Sequence, residues 1–289
     1  MSERITGHTE LIGLIAKPIK HSSSPKMHNE AFGKIGLDYA YLAFEVDEEN
    51  LEDAVKGLKA LGARGWNVSM PYKKAIIKYL DKLTPAAEMC EAVNTVINDN
   101  GVLTGTITDG TGFMMGLKDA GIDPIGKKMT IVGAGGAATA VAIQAALDGV
   151  KEISIFNIKD KFFENGEHTV RKINENTNCK ATIYELDNDK LKEEIESSYL
   201  LLNATGVGMK PLEGQTWLPD VTYLRSDLIC VDTIYSPLKT KFLEMAESVG
   251  CKTLNGLPML LYQGAAAFKL WTGKDMPIEH VKDVMGFKF

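Results

Sequence analysis

The feature that most constrains the fold is a glycine-rich turn set between a buried strand and a helix. The apolar run Met129–Val132 leads into "GAGGAA", which fits G-x-G-x-x-[G/A], and an alanine-rich helical segment then continues to Gly149. A second β-like run, Glu152–Phe156, follows it. The pattern alone is weak, but a strand before it and a helix after it predict a compact βαβ unit whose turn can bind a dinucleotide. The alternative is a glycine-rich turn in an ordinary α/β protein.

The residue types of this turn suit a pyrophosphate. Gly133 can make the tight turn, Gly135 lets the backbone approach the ligand, and Ala138 permits close packing of the helix on the strand. The helix N-terminus adds unpaired N–H groups and a partial positive charge, which favour phosphate.

The end of the second strand bears on which dinucleotide binds. An acidic residue there accepts a hydrogen bond from the ribose 2′-hydroxyl, whereas basic residues would bind a 2′-phosphate. The segment "FNIKDK" contains Asn157 and Asp160, and it also contains Lys159 and Lys161. Asp160 favours NAD and the lysines leave NADP open, while a solvated turn is the alternative without a ligand.

The rest of the chain continues the alternation of strands and helices. Its 289 residues suit two domains. β-like runs near the N-terminus are separated by helical segments, which implies parallel pairing, and Asp99-Asn100-Gly101 predicts a hairpin. We therefore expect an α/β protein with two domains and an active site in the cleft between them. The predicted parts are a substrate-binding domain with a mainly parallel sheet (1–111), a Rossmann-type dinucleotide-binding domain (112–256) and C-terminal helices that return to the first domain (257–289).

Composition argues against several classes of partner. The net charge is −6 and no basic tract is present, so neither nucleic acid nor an anionic membrane is expected as a partner. The first ten residues are polar and lack the apolar region of a signal peptide, and no apolar run approaches the ~20 residues that span a bilayer. The four cysteines are scattered and no His pair has zinc-ligand spacing, so we expect no metal. A cytoplasmic protein is the resulting expectation.

Two serines follow the first strand of the substrate-binding domain, in "HSSSP". Ser24 is a good N-cap with Pro25 at the first helical position, but that leaves Ser22 without a role. Two hydroxyls at one loop edge could bind one oxygen group of a ligand. No arginine occurs in these motifs, so a carboxylate would be held mainly by hydroxyls.

The stretch "NVSMPYK" repeats this arrangement, with Ser69 as a candidate cap for a helix that Pro71 begins. Asn67 and Lys73 are then unexplained polar groups. Farther on, "EAVNT" places Asn94 on a predicted strand.

"TITDGTG" places Asp109 just before a helix, which it could simply cap. Lys73 and Asp109 could instead meet in a cleft. Burial can lower the pKa of a lysine toward neutrality, and a carboxylate can orient the lysine or share its proton.

Eight motifs occur in the order found in one enzyme family. They are "HSSSP", "NVSMPYK", "EAVNT", "TDGTG", "GAGGAA", "NATGVGMKP", "DTIYSPLKT" and "GLPMLLYQGAAAF". Nearly the whole chain thereby resembles the shikimate dehydrogenases. The text between the motifs looks most like the quinate/shikimate dehydrogenase subgroup, whose members can use NAD.

The resemblance implies reversible hydride transfer between shikimate and 3-dehydroshikimate, in the pathway to chorismate and the aromatic amino acids, with quinate as a further substrate. It implies that Lys73 and Asp109 are the catalytic pair at the reacting hydroxyl. The implied substrate-binding residues are Ser22, Ser24, Asn67, Ser69, Asn94, Tyr235 and Gln263. The implied cofactor-binding residues are Gly133, Ala134, Gly135, Gly136, Ala137, Asn157, Asp160, Gly206, Val207, Met209, Thr233 and Gly256.

Three positions depart from the family pattern. Ser69 replaces the usual Thr and keeps the hydroxyl, and Ile107 replaces an Asn beside the retained Asp109. Ile158 replaces the Arg that NADP-preferring relatives use, so we expect NAD in preference to NADP.

Two other functions stay open. One is a quinate-preferring dehydrogenase of quinate catabolism. The other is a non-catalytic, ligand-sensing regulator, which could dispense with the catalytic pair that this chain retains. The oligomeric state is also open, and a homodimer is compatible with the sequence.

Overall fold

The protein forms two compact units. In a computed structural model that describes residues 5–289, unit 1 comprises Met1–Thr108 and Gln263–Lys288, and unit 2 comprises Asp109–Tyr262 and Phe289. The first four residues of the polar N-terminal segment lie outside the described range.

Strands and helices alternate along most of the chain. The strands are β1 (Glu10–Ala16), β2 (Tyr39–Glu45), β3 (Gly65–Val68), β4 (Lys82–Leu83), β5 (Thr95–Asp99), β6 (Val102–Thr106), β7 (Lys128–Val132), β8 (Glu152–Asn157), β9 (Lys180–Glu185), β10 (Leu200–Asn203), β11 (Ile229–Asp232) and β12 (Lys252–Leu254). The helices are α1 (Ser24–Lys34), α2 (Leu51–Ala60), α3 (Pro85–Cys90), α4 (Asp109–Asp119), α5 (Gly136–Asp148), α6 (Phe163–Asn176), α7 (Asn188–Glu196), α8 (Lys241–Val249), α9 (Leu257–Thr272) and α10 (Ile278–Met285). No helix of the described chain is long and apolar enough to cross a membrane.

Unit 2 contains a six-stranded parallel sheet in the order β12-β11-β10-β7-β8-β9. This is the Rossmann order, with the direction of winding reversed between β7 and β10, so the predicted fold class is confirmed. Alanine favours helix and is small, which lets α5 approach α4 closely. A Cβ at Gly110 would lie 2.2 Å from the carbonyl oxygen of Ala140. The alanine-rich helix ends at Gly149, as predicted, with φ +105°.

Unit 1 contains a second six-stranded sheet in the order β2-β1-β3-β5-β6-β4. β1 pairs in parallel with β2 and β3, whereas β5 and β6 form the predicted antiparallel hairpin. At its tip Asn100 and Gly101 both have positive φ, as a tight hairpin turn requires. The end of α9 packs on this sheet, because the buried Trp271 indole N–H donates to the carbonyl of Val96 (3.0 Å).

Three local predictions were wrong. Ser24 was predicted to be the N-cap of α1, but it is the first residue of that helix and Ser23 is the N-cap. Pro71 does not begin a helix: the Met70–Pro71 peptide is cis, and the next helical residues are the 3-10 turn Ala75–Tyr79.

The backbone of Ser69 explains the second difference. Its N–H donates to the carbonyl of Ile15 (2.9 Å), so the pairing of β1 with β3 continues past the strand end. Its carbonyl then accepts from Tyr72 N–H (2.9 Å) and closes a turn instead of a helix. Asn94, predicted on a strand, lies one residue before β5.

Candidate active site

The glycine turn of unit 2 has the geometry that a pyrophosphate needs. Gly133 has φ +113°, and a Cβ there would lie 2.6 Å from the carbonyl oxygen of Ala204 on the neighbouring chain segment. Around Gly135 and Gly136, by contrast, an added Cβ would meet no atom within 4 Å. The first turn of α5 contains no acidic residue. The turn therefore leaves open space beside a helix N-terminus, where phosphate oxygens can approach the backbone N–H groups.

Asn165 of α6, which the sequence analysis missed, links α6 to this turn through hydrogen bonds. The Asn165 amide donates to the carbonyl of Ala134 (2.7 Å) and to the Thr139 hydroxyl (2.9 Å). Beside it, Gly166 lets α6 pack closely, because a Cβ there would lie 2.2 Å from Ile183 Cδ1. The turn is thus held from outside its own βαβ unit.

The loop after β8 uses its acidic residue internally. Asp160 Oδ1 accepts from the Asn157 amide (2.8 Å) and from the backbone N–H of Phe162 (2.9 Å). Lys159 forms an exposed ion pair with Glu185 (3.1 Å). One carboxylate oxygen of Asp160 therefore stabilises the loop in which Asp160 lies. This makes Asp160 less suitable as an acceptor for the ribose hydroxyl.

A buried polar pair lies at the carboxyl ends of β10 and β11. Asn203 and Asp232 are register partners, and the Asn203 amide donates to both carboxylate oxygens (3.1 Å each). Burial raises the pKa of Asp232, an effect partly offset by hydrogen bonds from Thr240, Ile234 and Asn203. The predicted cofactor residues Gly206, Val207, Met209 and Thr233 lie in the segments that follow these two strands.

The two predicted serines of unit 1 lie together after β1. Ser24 N–H donates to Ser22 Oγ (3.2 Å), and both side chains are half-buried. The Ser24 side chain also interacts with the hydroxyl of Tyr41, a residue that the sequence analysis missed, and partly offsets the rise that burial causes in the pKa of Tyr41. The same hydroxyl donates to Asn67 Oδ1 (2.7 Å), so Tyr41 links the serine pair to Asn67.

Hydrogen bonds fix which end of each asparagine amide accepts. Asn67 Nδ2 donates to the carbonyl of Asn94 and to Thr95 Oγ1 (3.0 Å each), so its Oδ1 is the group left to accept from a ligand beside Tyr41. Asn94 Oδ1 accepts from the Thr95 hydroxyl (2.9 Å), the Thr108 N–H (2.9 Å) and the Thr108 hydroxyl (3.2 Å). The amide nitrogen of Asn94 is therefore its donor end. Thr95 and Thr108 were also missed in the sequence.

Lys73 belongs to this group through the backbone. Its carbonyl accepts from Val93 N–H (2.8 Å), the residue before Asn94, and its side chain is half-buried. Gln263 is half-buried on α9. The next residue, Gly264, packs against α1, where a Cβ would lie 2.3 Å from Met27 Cε. Unit 1 thus contains the candidates Ser22, Ser24, Asn67, Ser69, Lys73, Asn94 and Gln263.

Two other candidates belong to unit 2. Asp109 is the first residue of α4 and half-buried, and Tyr235 is exposed after β11. Within residues 5–289 no group of three or more His, Cys, Asp or Glu side chains could hold a metal ion.

The parallel sheet and the glycine turn beside its reversal point define unit 2 as a Rossmann-type dinucleotide-binding unit. Residues 14–96 match the family model for the shikimate dehydrogenase substrate binding domain, and residues 256–285 match that for the shikimate 5′-dehydrogenase C-terminal domain. The chain belongs to the shikimate dehydrogenase family.

Close relatives extend over nearly the full length. The shikimate dehydrogenase (NADP(+)) of Listeria innocua is 64% identical over 286 residues, which are 99% of this chain and 98% of that protein. The Streptococcus uberis protein of the same name is 56% identical, with 99% and 98% covered. The crystal structure of shikimate 5-dehydrogenase from Listeria monocytogenes in complex with shikimate and NAD has a TM-score of 0.96 and 64% identity, with 99% of each chain covered.

These relatives correct the cofactor expectation. The expected preference for NAD is wrong, because the Listeria innocua and Streptococcus uberis proteins are both named for NADP(+). The expectation relied on Asp160 as a ribose acceptor and on the missing arginine at Ile158. The hydrogen bonds of Asp160 within its own loop provide the physical reason for the error.

Proposed function

We propose that this protein is an NADP-dependent shikimate dehydrogenase, which interconverts shikimate and 3-dehydroshikimate. The single observation that carries the proposal is 64% identity over 99% of the chain to a protein of that name. The open glycine turn of unit 2 and the polar group of unit 1 support it independently. When bound, NADP would take up or supply the hydride.

Within this proposal, Lys73 and Asp109 handle the proton at the reacting hydroxyl. A lysine and a carboxylate can pass or share a proton with an alcohol, provided that each lies within hydrogen-bond reach of it. The hydrogen bond from Val93 N–H to the Lys73 carbonyl holds Lys73 beside Asn94, which supports the assignment of Lys73 to the active site.

The polar network of unit 1 supports binding of a hydroxylated carboxylic acid. Ser22 and Ser24 would donate hydroxyls to the carboxylate, with Tyr235 and Gln263 as further contacts. Asn67 would accept from one ring hydroxyl, and Ser69 and Asn94 would hold the others. Asn94 would do so as a donor, because its oxygen already accepts three hydrogen bonds.

On the cofactor side, Gly133–Ala137 would bind the pyrophosphate and Asn157 would contact the adenosine ribose. Without the family's arginine, Lys159 and Lys161 would be the candidate cations for the 2′-phosphate. Gly206, Val207, Met209, Thr233 and Gly256 would line the nicotinamide half.

The test is an activity assay that follows the near-ultraviolet absorbance of the reduced nicotinamide, with shikimate and NADP at alkaline pH. We expect steady turnover that depends on both. If neither shikimate nor quinate gave a signal with either cofactor, a ligand-sensing regulator would be the better account. A signal with quinate alone would favour the quinate-preferring alternative.

A further inference from the structure

The buried pair of Asn203 and Asp232 is more polar than its position in the core requires. The two side chains are 0% and 1% exposed. Within the described residues Asp232 forms no ion pair, and its donors are Asn203, Ile234 and Thr240. A buried carboxylate is costly unless hydrogen bonds compensate it, and well-packed apolar residues often stabilise such a place better. The pair therefore calls for an explanation other than fold stability.

The amide of Asn203 holds the segment that follows β10. Its Oδ1 accepts from the Thr205 N–H (3.1 Å), the Thr205 hydroxyl (2.7 Å) and the Trp217 indole N–H (3.0 Å), and its Nδ2 donates to the carbonyl of Val207 (3.2 Å). The Thr205 hydroxyl in turn accepts from Val207 N–H (3.0 Å). One side chain thus sets the conformation of residues 205–207.

The carboxylate of Asp232 holds the segment that follows β11. Oδ1 accepts from Ile234 N–H (2.9 Å) and Oδ2 from the Thr240 hydroxyl (2.7 Å). Thr240 is the N-cap of α8, so the turn between β11 and α8 is fixed at both ends. Because Asn203 donates to both carboxylate oxygens of Asp232, hydrogen bonds link the segment after β10 to the segment after β11.

These segments contain the residues assigned above to the nicotinamide half. Thr233 donates through its N–H (3.0 Å) and its hydroxyl (3.2 Å) to the carbonyl of Asn203. Gly256 N–H donates to the carbonyl of Ile234 (2.9 Å), and a Cβ at Gly256 would lie 2.1 Å from the Thr233 oxygen. β10 also lies next to β7, where the direction of winding reverses and dinucleotides bind.

We propose that Asn203 and Asp232 are positioning residues, which hold segments 205–209 and 233–234 in the conformation that receives the nicotinamide half of the cofactor. The inference rests on the proposed function. The pair acts through the two segments, and the adenosine half is assigned to the loops after β7 and β8, with which the two side chains form no hydrogen bond in the described chain. Loss of the pair should therefore affect hydride transfer more than adenosine binding.

The principal variant is Asp232→Asn. It keeps the shape of the side chain but replaces an accepting oxygen with an NH2 group, which faces other donors. We expect kcat for shikimate and NADP to fall by roughly tenfold to a hundredfold, because small displacements of reacting groups have effects of this size. The primary deuterium isotope effect, measured with shikimate deuterated at the carbon that is oxidised, should rise. The Kd of 2′,5′-ADP, a probe of the adenosine half, should stay within about twofold of wild type.

Three further variants keep the test decisive. Thr240→Val removes one donor to Asp232 without changing the shape, and it should shift kcat and the isotope effect in the same direction by less. The exchange Asn203→Asp with Asp232→Asn restores a donor–acceptor link and should recover part of the kcat lost in Asp232→Asn. Glu194→Gln removes another buried carboxylate of unit 2, outside the assigned segments, and should keep kcat.

The outcomes separate the two proposals. An inactive wild-type protein would contradict the proposed function itself. An active wild type, together with a folded Asp232→Asn variant whose kcat and isotope effect match it, would overturn the positioning role. A lowered Tm alone would mean that the pair only stabilises the fold. If Asp232→Asn does not fold, the kcat and isotope effect of Thr240→Val provide the test, and wild-type values for both would overturn the positioning role.

Discussion

The ammonium of Lys128 lies 2.6 Å from the carboxylate of Glu194, between the start of β7 and the end of α7. Ser154 donates to the same oxygen (2.7 Å), and Lys190 lies 2.8 Å from the other oxygen. Burial would raise the pKa of Glu194, but the hydrogen bonds from Lys128, Lys190 and Ser154 outweigh it and lower the pKa to about 2. The cluster stabilises the ionised carboxylate well away from the glycine turn.

Glu194→Gln should destabilise the protein by about 3 kcal/mol at neutral pH, because it leaves the buried Ser154 hydroxyl and two partly buried ammonium groups with a weaker acceptor. The folded-state pKa is depressed, so this stability is present above the unfolded value of 4.5 and is lost as pH falls toward about 2. Denaturant unfolding at neutral and acidic pH measures both effects. A variant as stable as wild type at neutral pH, or with an unchanged acid profile, would contradict this account.

His28 should make unit 1 sensitive to acid. The imidazole is 1% exposed and stacks on Tyr41 at 4.5 Å, and neither ring nitrogen has a hydrogen-bond partner in the described chain. Burial lowers the pKa of His28 from 6.5 to about 3. Between these two pKa values His28 is protonated in the unfolded chain but neutral in the folded chain. The free energy of unfolding therefore decreases as pH falls from 6.5 toward about 3.

His28→Phe keeps the aromatic stack and removes the titration. We expect its Tm to fall less than that of wild type between neutral and mildly acidic pH. The exposed His8 provides the matched control, since His8→Gln should keep the wild-type slope. Equal slopes for all three proteins would show that His28 does not contribute to the acid sensitivity.

Lys73→Ala should lower kcat by roughly a hundredfold or more with little change in Tm, because proton transfer at the substrate hydroxyl would lose its partner. The neighbouring Lys74 is exposed, so Lys74→Ala should have nearly wild-type kcat and Tm. Steady-state kinetics and thermal unfolding of both variants check this. Lost stability with retained turnover in Lys73→Ala would instead indicate a structural lysine.

Local sequence rules predicted those features of the fold whose geometry is set within a few residues. The turn at Gly133 and the hairpin at Gly101 depend on backbone conformation and on the order of adjacent elements. The helix predicted after Asp109 is present, but it begins at Asp109 itself. Pro71 shows the limit of such rules. Its position predicts the first turn of a helix, but the pairing of Ser69 with Ile15 prolongs the strand edge.

Residues whose roles depend on strand order escaped the sequence analysis. Tyr41 lies in an apolar run of the sequence, which predicts a core residue. The strand order β2-β1-β3, however, brings its hydroxyl to Asn67, 26 positions away in the chain. Asp232 reaches Asn203 across 29 positions for the same reason. The edge strands β4, β9 and β12 were also missed, because they are short or polar and carry little periodic signal.

If the proposed function holds, Lys161 should contribute to NADP binding, since it lies in the loop between β8 and α6 that the 2′-phosphate would reach. Lys161→Glu should raise the KM for NADP by about tenfold, or about 1.4 kcal/mol, and the effect should shrink at high salt. Lys151, at the opposite end of β8, is the control, and Lys151→Glu should keep the KM. An unchanged KM in Lys161→Glu would remove Lys161 from the cofactor site.

The most direct test of the central claim is a comparison of kcat/KM for shikimate and quinate, each with NADP and with NAD. We predict the largest value for shikimate with NADP. A larger value for quinate, or for shikimate with NAD, would contradict the proposed function.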